Sequence, residues 1–411
     1  MTIQLRKLSF TLCLLALMLT ATAQADTMAK TEAETEAAFQ SWLTDFKQQA
    51  LKKGISKPTI DQAFKNITLN TKVLELDRRQ PEFSRTFWQY FNKAVTDWRV
   101  SKGQMLYKKH RPLLDEVTKL TGVPGRYLVA FWGMETNYGG YTGNIPIIES
   151  LATLSYDPRR SDFFSNQLVD ALTVIDQGHV KPQQMKGSWA GAMGQCQFMP
   201  SNYLRYAVDG DNDGKKDLWG SLPDVFHSSG HFLNELGWQK QQNWGREVQL
   251  PKGFDYALAD GKTPKSLNDW AKAGLTLADG RALPTEEMDA KLLLPSDYRG
   301  PAFLVFDNFK VIKRWNNSNN YALAVGHLAD RIVGRSALTK SQPSDDKALS
   351  KQEMKTVQER LNWLGFDAGT PDGVAGSNTR SALRAFQVQQ TLPADGHPSH
   401  RMLNKLMSAH R

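Results

Sequence analysis

Two cysteines in 411 residues, Cys13 and Cys196, leave this sequence with almost no sulfur chemistry. Cys13 falls in an N-terminal segment that reads as a cleaved leader, so Cys196 stands alone in the mature chain. An intramolecular disulfide is thereby excluded, even in an oxidising compartment. A cysteine nucleophile needs a base, and no histidine lies near Cys196 in sequence. The plain reading, a small buried thiol between Gly194 and Phe198, is preferred. Long apolar runs are also scarce. Beyond the leader, no stretch is long and apolar enough to span a bilayer. Nor is there an excess of acid, since the formal net charge is +9. A basic balance suits any acidic polymer and by itself selects none.

What is present begins with a compartment signal. Arg6 and Lys7 precede the apolar "LSFTLCLLALMLTATA", and Ala23 to Ala25 supply small residues before Asp26. This is the pattern of a secretory signal over residues 1–25. Cys13 sits inside the apolar run behind Leu12, which argues against a lipid anchor. A soluble exported protein is expected, with room for two or three domains.

Helical spacing dominates the first half. Phe39, Trp42, Leu43, Phe46 and Leu51 share one stripe, closed by Gly54. Ser56 is a candidate N-cap for a second helix, with Pro58 in its first turn. "EFSRTFWQYFNKAVTDW" and "RPLLDEVTKLTG" read as two further helices, and the very apolar "VPGRYLVAFWGME" as a buried fifth. From about residue 245 to 312 the pattern changes. "REVQL", "KLLLP" and "AFLVF" read as short strands around a helical "SLNDWAKAG", before helix returns at "NNYALAVGHLADRI". The polar "TKSQPSDDKALS" reads as a linker. Beyond it, an amphipathic helix carrying Met354, Val357, Leu361 and Leu364 opens a unit of three helices. Its Asp372-Gly373 and Asp395-Gly396 turns repeat one another.

Three segments carry chemistry. Glu135 ends an apolar helix just before Thr136-Asn137-Tyr138-Gly139-Gly140. Helix-end carbonyls and apolar surroundings both disfavour its ionisation, as a general acid requires. A solvated helix-end glutamate is the rival reading. "KGSWAGAMGQCQFMPSNY" packs small residues around Gln197, whose amide both donates and accepts. It would line a sugar-binding groove or let elements pack closely. In "DGDNDGKKDLW", Asp209, Asp211 and Asp213 fall at positions 1, 3 and 5 of a calcium loop, with Gly214 at 6 and the Lys215 carbonyl at 7. Position 12 is Gly220 where a bidentate Glu belongs, so a later acid such as Asp224 would have to close the shell.

Taken together, "GMETNYGGYTGN", "SLATLSYDPRRSDFF", the segment 186–219 and "RWNNSNNYALAV" resemble lytic murein transglycosylases of the membrane-bound type B family. The likeness spans roughly residues 35–335, and the lipidation signal of the family's lipoproteins is missing. "VQERLNWLGF", "DGVAGSNTRSALRAFQ" and "LPADG" look like the peptidoglycan-binding domain found on many wall enzymes. The resemblance implies a mainly α chain: a lysozyme-like α+β catalytic domain with a small β-containing insert (residues 26–336), a linker (337–350) and a three-helix wall-binding domain (351–411). It implies Glu135 as single acid/base, cleaving between N-acetylmuramic acid and N-acetylglucosamine to leave 1,6-anhydromuramyl ends. Tyr90, Arg160, Ser188, Gln197, Phe198, Trp315, Asn316 and Tyr321 are the implied substrate contacts. The family can carry a calcium loop completed by a later Asp, which favours Asp209, Asp211, Asp213, Lys215 and Asp224 as ligands of a structural ion. No cofactor is implied for the chemistry. A periplasmic monomer is expected that acts on glycan strands, with other wall enzymes as partners, and with neither nucleic acid nor a membrane anchor. Two other readings stay open. A lysozyme-like hydrolase would need a second carboxylate, and Asp157 and Asp162 are the candidates. A non-catalytic wall-binding protein would need none.

Overall fold

A computed structural model describes residues 33–78 and 85–410. The expected leader lies outside them. In chain order the helices are α1 (33–52), α2 (Lys57–Ala63), α3 (Thr71–Arg78), α4 (Phe87–Ala94), α5 (Asp97–Lys109), α6 (Arg111–Thr121), α7 (Gly125–Thr136), α8 (Ile147–Tyr156), α9 (Ser161–Asp176), α10 (Pro200–Tyr206), α11 (Leu222–Glu235), α12 (Leu267–Lys272), α13 (Asp307–Trp315), α14 (Asn319–Ile332), α15 (Lys351–Trp363), α16 (Ser377–Gln389) and α17 (His400–Ser408). The strands are β1 (Ile145–Pro146), β2 (Lys186–Gly187), β3 (Gly245–Gln249), β4 (Lys265–Ser266), β5 (Thr276–Leu277), β6 (Asp289–Leu293) and β7 (Ala302–Val305). The mainly helical class with a small sheet insert is as the sequence implied. The chain divides into two compact units. Among the described residues, one holds 33–78 and 143–205; the other holds 85–142 and 206–410.

In the first unit, Ser56 caps α2 as expected, accepting from the Thr59 N–H, with proline in the first turn. Ser56 Oγ and Thr59 Oγ1 both donate to Asp176 at the end of α9, which ties the two helices. Asp77, 4 % exposed, accepts from the guanidinium groups of both Arg159 and Arg160. Burial pushes its carboxyl up, but those bonds and charges outweigh burial and hold it below its ordinary range.

In the second unit, the helix expected across "EFSRTFWQYFNKAVTDW" is two. It breaks at Val95, where Thr96 starts α5 by accepting from the Arg99 N–H. A local cap outcompetes the continuous apolar pattern there. α14 is buried along nearly its whole length. Gly326 lets it approach Trp244, since a Cβ there would lie 2.2 Å from the indole. That indole N–H donates to Asp330 at 3.0 Å. The sheet is antiparallel in the order β4-β6-β7-β3-β5. β3, β6 and β7 match the expected strands; β4 and β5 have two residues each, too short for a periodicity to show. Trp270, Leu292 and Leu304 centre the insert's core.

α15, α16 and α17 close around Val357, Leu361, Leu383, Phe386 and Leu406. The repeated Asp-Gly turns use one lock twice. Gln358 bridges Asp372 and the Gly373 N–H, and Gln387 bridges Asp395 and the Gly396 N–H. Residues 335–350 contain no helix or strand, yet they are tied down. Thr339 donates to Glu247, Asp345 pairs with Arg299, and buried Asp346 meets His397 at 3.3 Å.

Candidate active site

Glu135 occupies the penultimate position of α7, so the helix-end setting expected from sequence is present. The helix stops because Asn137, Tyr138 and Gly139 all adopt left-handed backbone, with φ of 51°, 62° and 76°. Asparagine and glycine tolerate that region, whereas tyrosine resists it. Tyr138 is held there by its hydroxyl, which donates to the Arg99 carbonyl at 2.6 Å. Gly133 leaves room for its ring, since a Cβ would lie 2.6 Å from the phenol carbon. Arg99 also bonds the Asn137 side chain and the Ala94 carbonyl, so one guanidinium fixes the turn.

The Glu135 carboxylate is half-buried and accepts from the Tyr321 hydroxyl on α14. Burial, then the adjacent carboxylate, pushes that phenol well above its ordinary range, so it stays a donor at any physiological pH. Tyr90 lies within electrostatic reach of both Tyr321 and Arg99. Trp315 stacks on Phe131 with ring centres 4.3 Å apart, one turn below Glu135 on the same helix. Phe232 also lies edge-on to it at 5.1 Å. Asn316, just past α13, is exposed. The structure thus gathers Glu135, Tyr321, Tyr90 and Trp315 around the end of α7. Arg99 and Tyr138, which shape the turn, were not singled out by sequence. The only signal for them was a tyrosine following asparagine where the helix had to stop.

The remaining predicted contacts belong to the first unit. Ser188 and Gln197 lie on a tight loop, bridged at Gly187–Met193 and Met193–Phe198. Ser188 Oγ accepts from the Ala192 N–H at 3.0 Å. Gln197, at φ 50°, donates to the Gly194 carbonyl at 2.9 Å. The small residues serve close backbone approach within this loop: a Cβ on Gly187 would lie 2.1 Å from the Ala192 carbonyl oxygen. Phe198 is 1 % exposed, so its ring is packed into the core. Cys196 is buried, as read. Arg160 stands apart from the loop, bound to Asp77 and stacked over Phe164. Asp157, a candidate second carboxylate, pairs with Arg78 at 3.0 Å. It also accepts from the Arg159 backbone N–H at 3.0 Å, while the guanidinium groups of Arg159 and Arg160 pair with Asp77.

In the second unit, Asp209, Asp211 and Asp213 bring carboxylate oxygens within 4.8 Å of one another. Gly214 has the positive φ that position 6 of a calcium loop demands. These hard-oxygen donors fit a calcium ion. Asp224 takes a different place from the one expected. Its Oδ1 accepts from Gly210 N at 2.7 Å and its Oδ2 from Asp217 N at 2.6 Å. It is fully buried and clasps the two ends of the loop.

Comparison with known proteins agrees with this geometry. Residues 38–330 match the transglycosylase SLT domain family, and residues 350–406 match a peptidoglycan binding domain family. The chain is 31% identical over 306 residues to membrane-bound lytic murein transglycosylase B of Escherichia coli K12, covering 70% of this chain and 82% of that protein. SltB3 of Pseudomonas aeruginosa, solved with NAG-anhNAM-pentapeptide, superposes with a TM-score of 0.86 at 44% identity, over 90% of this chain and 99% of that one. Escherichia coli Slt35, solved with calcium, gives 0.60 at 31% identity, over 71% and 92%. With Glu135 and Tyr321 joined at the end of α7 inside the matched region, the chain belongs to the SLT transglycosylase family and is a peptidoglycan lytic transglycosylase.

Proposed function

We propose that the enzyme cleaves the β-1,4 bond between N-acetylmuramic acid and N-acetylglucosamine and closes a 1,6-anhydro ring on the muramyl end, in wall remodelling or turnover. The observation that carries this reading is the Glu135–Tyr321 pair. Glu135, as the acid, protonates the glycosidic oxygen, and the bond to the muramyl C1 breaks. The N-acetylglucosamine end departs with a free 4-hydroxyl. Positive charge develops at C1, where the substrate's own N-acetyl group stabilises it in place of a second carboxylate. The Glu135 carboxylate then takes the proton of the muramyl C6 hydroxyl as O6 bonds to C1. Glu135 ends protonated, ready for another cycle. Tyr321, held neutral, keeps one carboxylate oxygen oriented through both proton transfers. The anhydro sugar in the complex of the Pseudomonas relative supports this product.

Several further assignments belong to the same proposal. Residues 26–336 form the catalytic part, 337–350 the linker and 351–411 the wall-binding part. Ser188, Gln197, Arg160, Trp315 and Asn316 are substrate contacts by their matching motifs. Asp209, Asp211, Asp213 and the Lys215 carbonyl hold a structural calcium, as the calcium complex of the Escherichia coli relative supports. The ion would brace the loop. The protein works in the periplasm after loss of residues 1–25; among the described residues, no helix is long and apolar enough to cross a membrane.

The test is product analysis. Sacculi digested by the mature chain should yield muropeptides one water lighter than hydrolysis products and resistant to borohydride. Reducible ends would instead make water the nucleophile and the enzyme a hydrolase. Intact sacculi with bound protein would leave only a wall-binding role.

A further inference from the structure

A cavity of about 950 Å³ lies wholly within the second unit, between α13, the loop before α14, the sheet insert and the start of α16. Its lining carries cations in like-charged pairs. Lys313 on α13 is pushed below the ordinary lysine range by burial and then by Lys291 on β6. Arg380, one turn from Arg384 on α16, is likewise lowered by burial and then by Arg384, while burial lowers Arg384 against the pull of Asp260 and Asp395. Arg85 and Lys262 stand on the same lining. Of the nearby acids, Asp307 pairs with Lys310 at 2.7 Å, and Asp260 accepts from two backbone N–H groups and the Thr263 hydroxyl while also facing Arg384. Among the described residues, Lys291, Lys313 and Arg380 form no ion pair. Crowding like charges into a recess costs free energy that a bound anion would recover.

The two pairs sit on different elements, so the recess offers two separated anchoring points for negative charge. It is also lined by Asn317, Asn319 and Asn320, amides suited to a peptide backbone. A volume near 950 Å³ takes a short peptide. Recessed walls suit a chain with carboxylates spaced along it better than a flat lipid surface. We propose that this groove binds the carboxylates of the peptide stems of peptidoglycan, so that the enzyme grips its substrate by peptide as well as by sugar. The inference rests on the peptidoglycan reading above, but its test does not need bond cleavage.

The test is calorimetric titration of the full mature chain with a free stem pentapeptide and with the same peptide amidated at its carboxylates. The free peptide should bind about tenfold tighter or better. A triple variant, Lys291→Gln with Lys313→Gln and Arg380→Gln, should lose that margin. Removing one of two crowded charges relieves repulsion, so the single variant Lys313→Gln should fold with an unchanged or higher Tm and still bind more weakly. Equal affinity for both peptides, or an unaffected triple variant, would overturn the proposal. So would displacement of the peptide by equimolar inorganic phosphate. A variant defect seen only on phosphatidylglycerol vesicles would reassign the groove to membranes and overturn it too. On intact sacculi the triple variant's KM should rise about tenfold with kcat held, and the gap should close on sacculi stripped of stems. Absence of anhydro ends alongside normal peptide binding would sink the cleavage reading and leave the groove standing.

Discussion

Glu135 and Asp224 are both carboxylates of the second unit, each beside a glycine-bearing turn, and they are used in opposite ways. Asp224 is fully buried and accepts from two backbone N–H groups, one on each oxygen. Glu135 is half-buried and is held by a side-chain hydroxyl. A carboxylate bonded to the backbone cannot exchange protons without loosening the chain around it. One steadied by a neutral phenol can lose and regain a proton while the fold stays put. The difference sets the proposed proton-transfer acid apart from the loop-holding one by its bonding partner and not by burial, since burial by itself pushes the carboxyl of the loop-holding Asp224 up.

The largest test of that contrast removes each acid in turn. Glu135→Gln should lower turnover of sacculi about 10³-fold or more while leaving sacculus binding and Tm intact. Asp224→Asn should do the reverse. It sets an amide N–H against a backbone donor and should cost roughly 2–3 kcal/mol, read by denaturant titration, with turnover per folded molecule little changed. Asp77→Asn in the first unit extends the comparison to an acid held by arginines. It should cost roughly 2 kcal/mol, because two part-exposed guanidinium groups lose their partner while water screens them.

Tyr321→Phe addresses the phenol directly. Turnover should fall about 10- to 100-fold, and the alkaline edge of the pH–rate profile should move up, because the carboxylate loses a donor that favours its charged form. An edge that stayed in place would assign Tyr321 to packing. A comparable measurement reports on the scaffold behind it. Burial, then Arg331, lowers His327 to about 4, so the folded protein resists a proton that the unfolded chain accepts near 6.5. Stability should therefore fall as pH drops from 6.5 to 4, by up to ~3 kcal/mol, and level off below, and His327→Gln should flatten that slope. The smallest effect is expected from the acidic loop. Chelating calcium should lower Tm by a few degrees, roughly 1 kcal/mol, without changing kcat.

Much of this was legible in the residues. The Ser56 cap, the apolar α7 ending at Glu135, three strands of the insert and the repeated Asp-Gly turns each follow from short-range chemistry that a linear pattern records. What was not legible depends on distance along the chain. The Tyr321 bond joins residues 186 positions apart, and Asp77 gathers its arginines from more than 80 positions away. The burial of Phe198 was hidden for a related reason: an aromatic after a small-residue loop looks the same whether it faces solvent or core. The break at Val95 was missed because Thr96 was weighed as one more residue in an apolar helix, when its hydroxyl could begin another.

The tied segment 335–350 sets how the two ends of the second unit can cooperate. A slack tether would let a wall-binding module wander, and its help to catalysis would follow polymer statistics, as an effective concentration averaged over many positions. With Thr339, Asp345 and Asp346 all fastened, the chain acts as a ruler instead. A strand gripped by α15–α17 would meet Glu135 at one fixed offset, and the spacing of cuts along a glycan would be written in the fold.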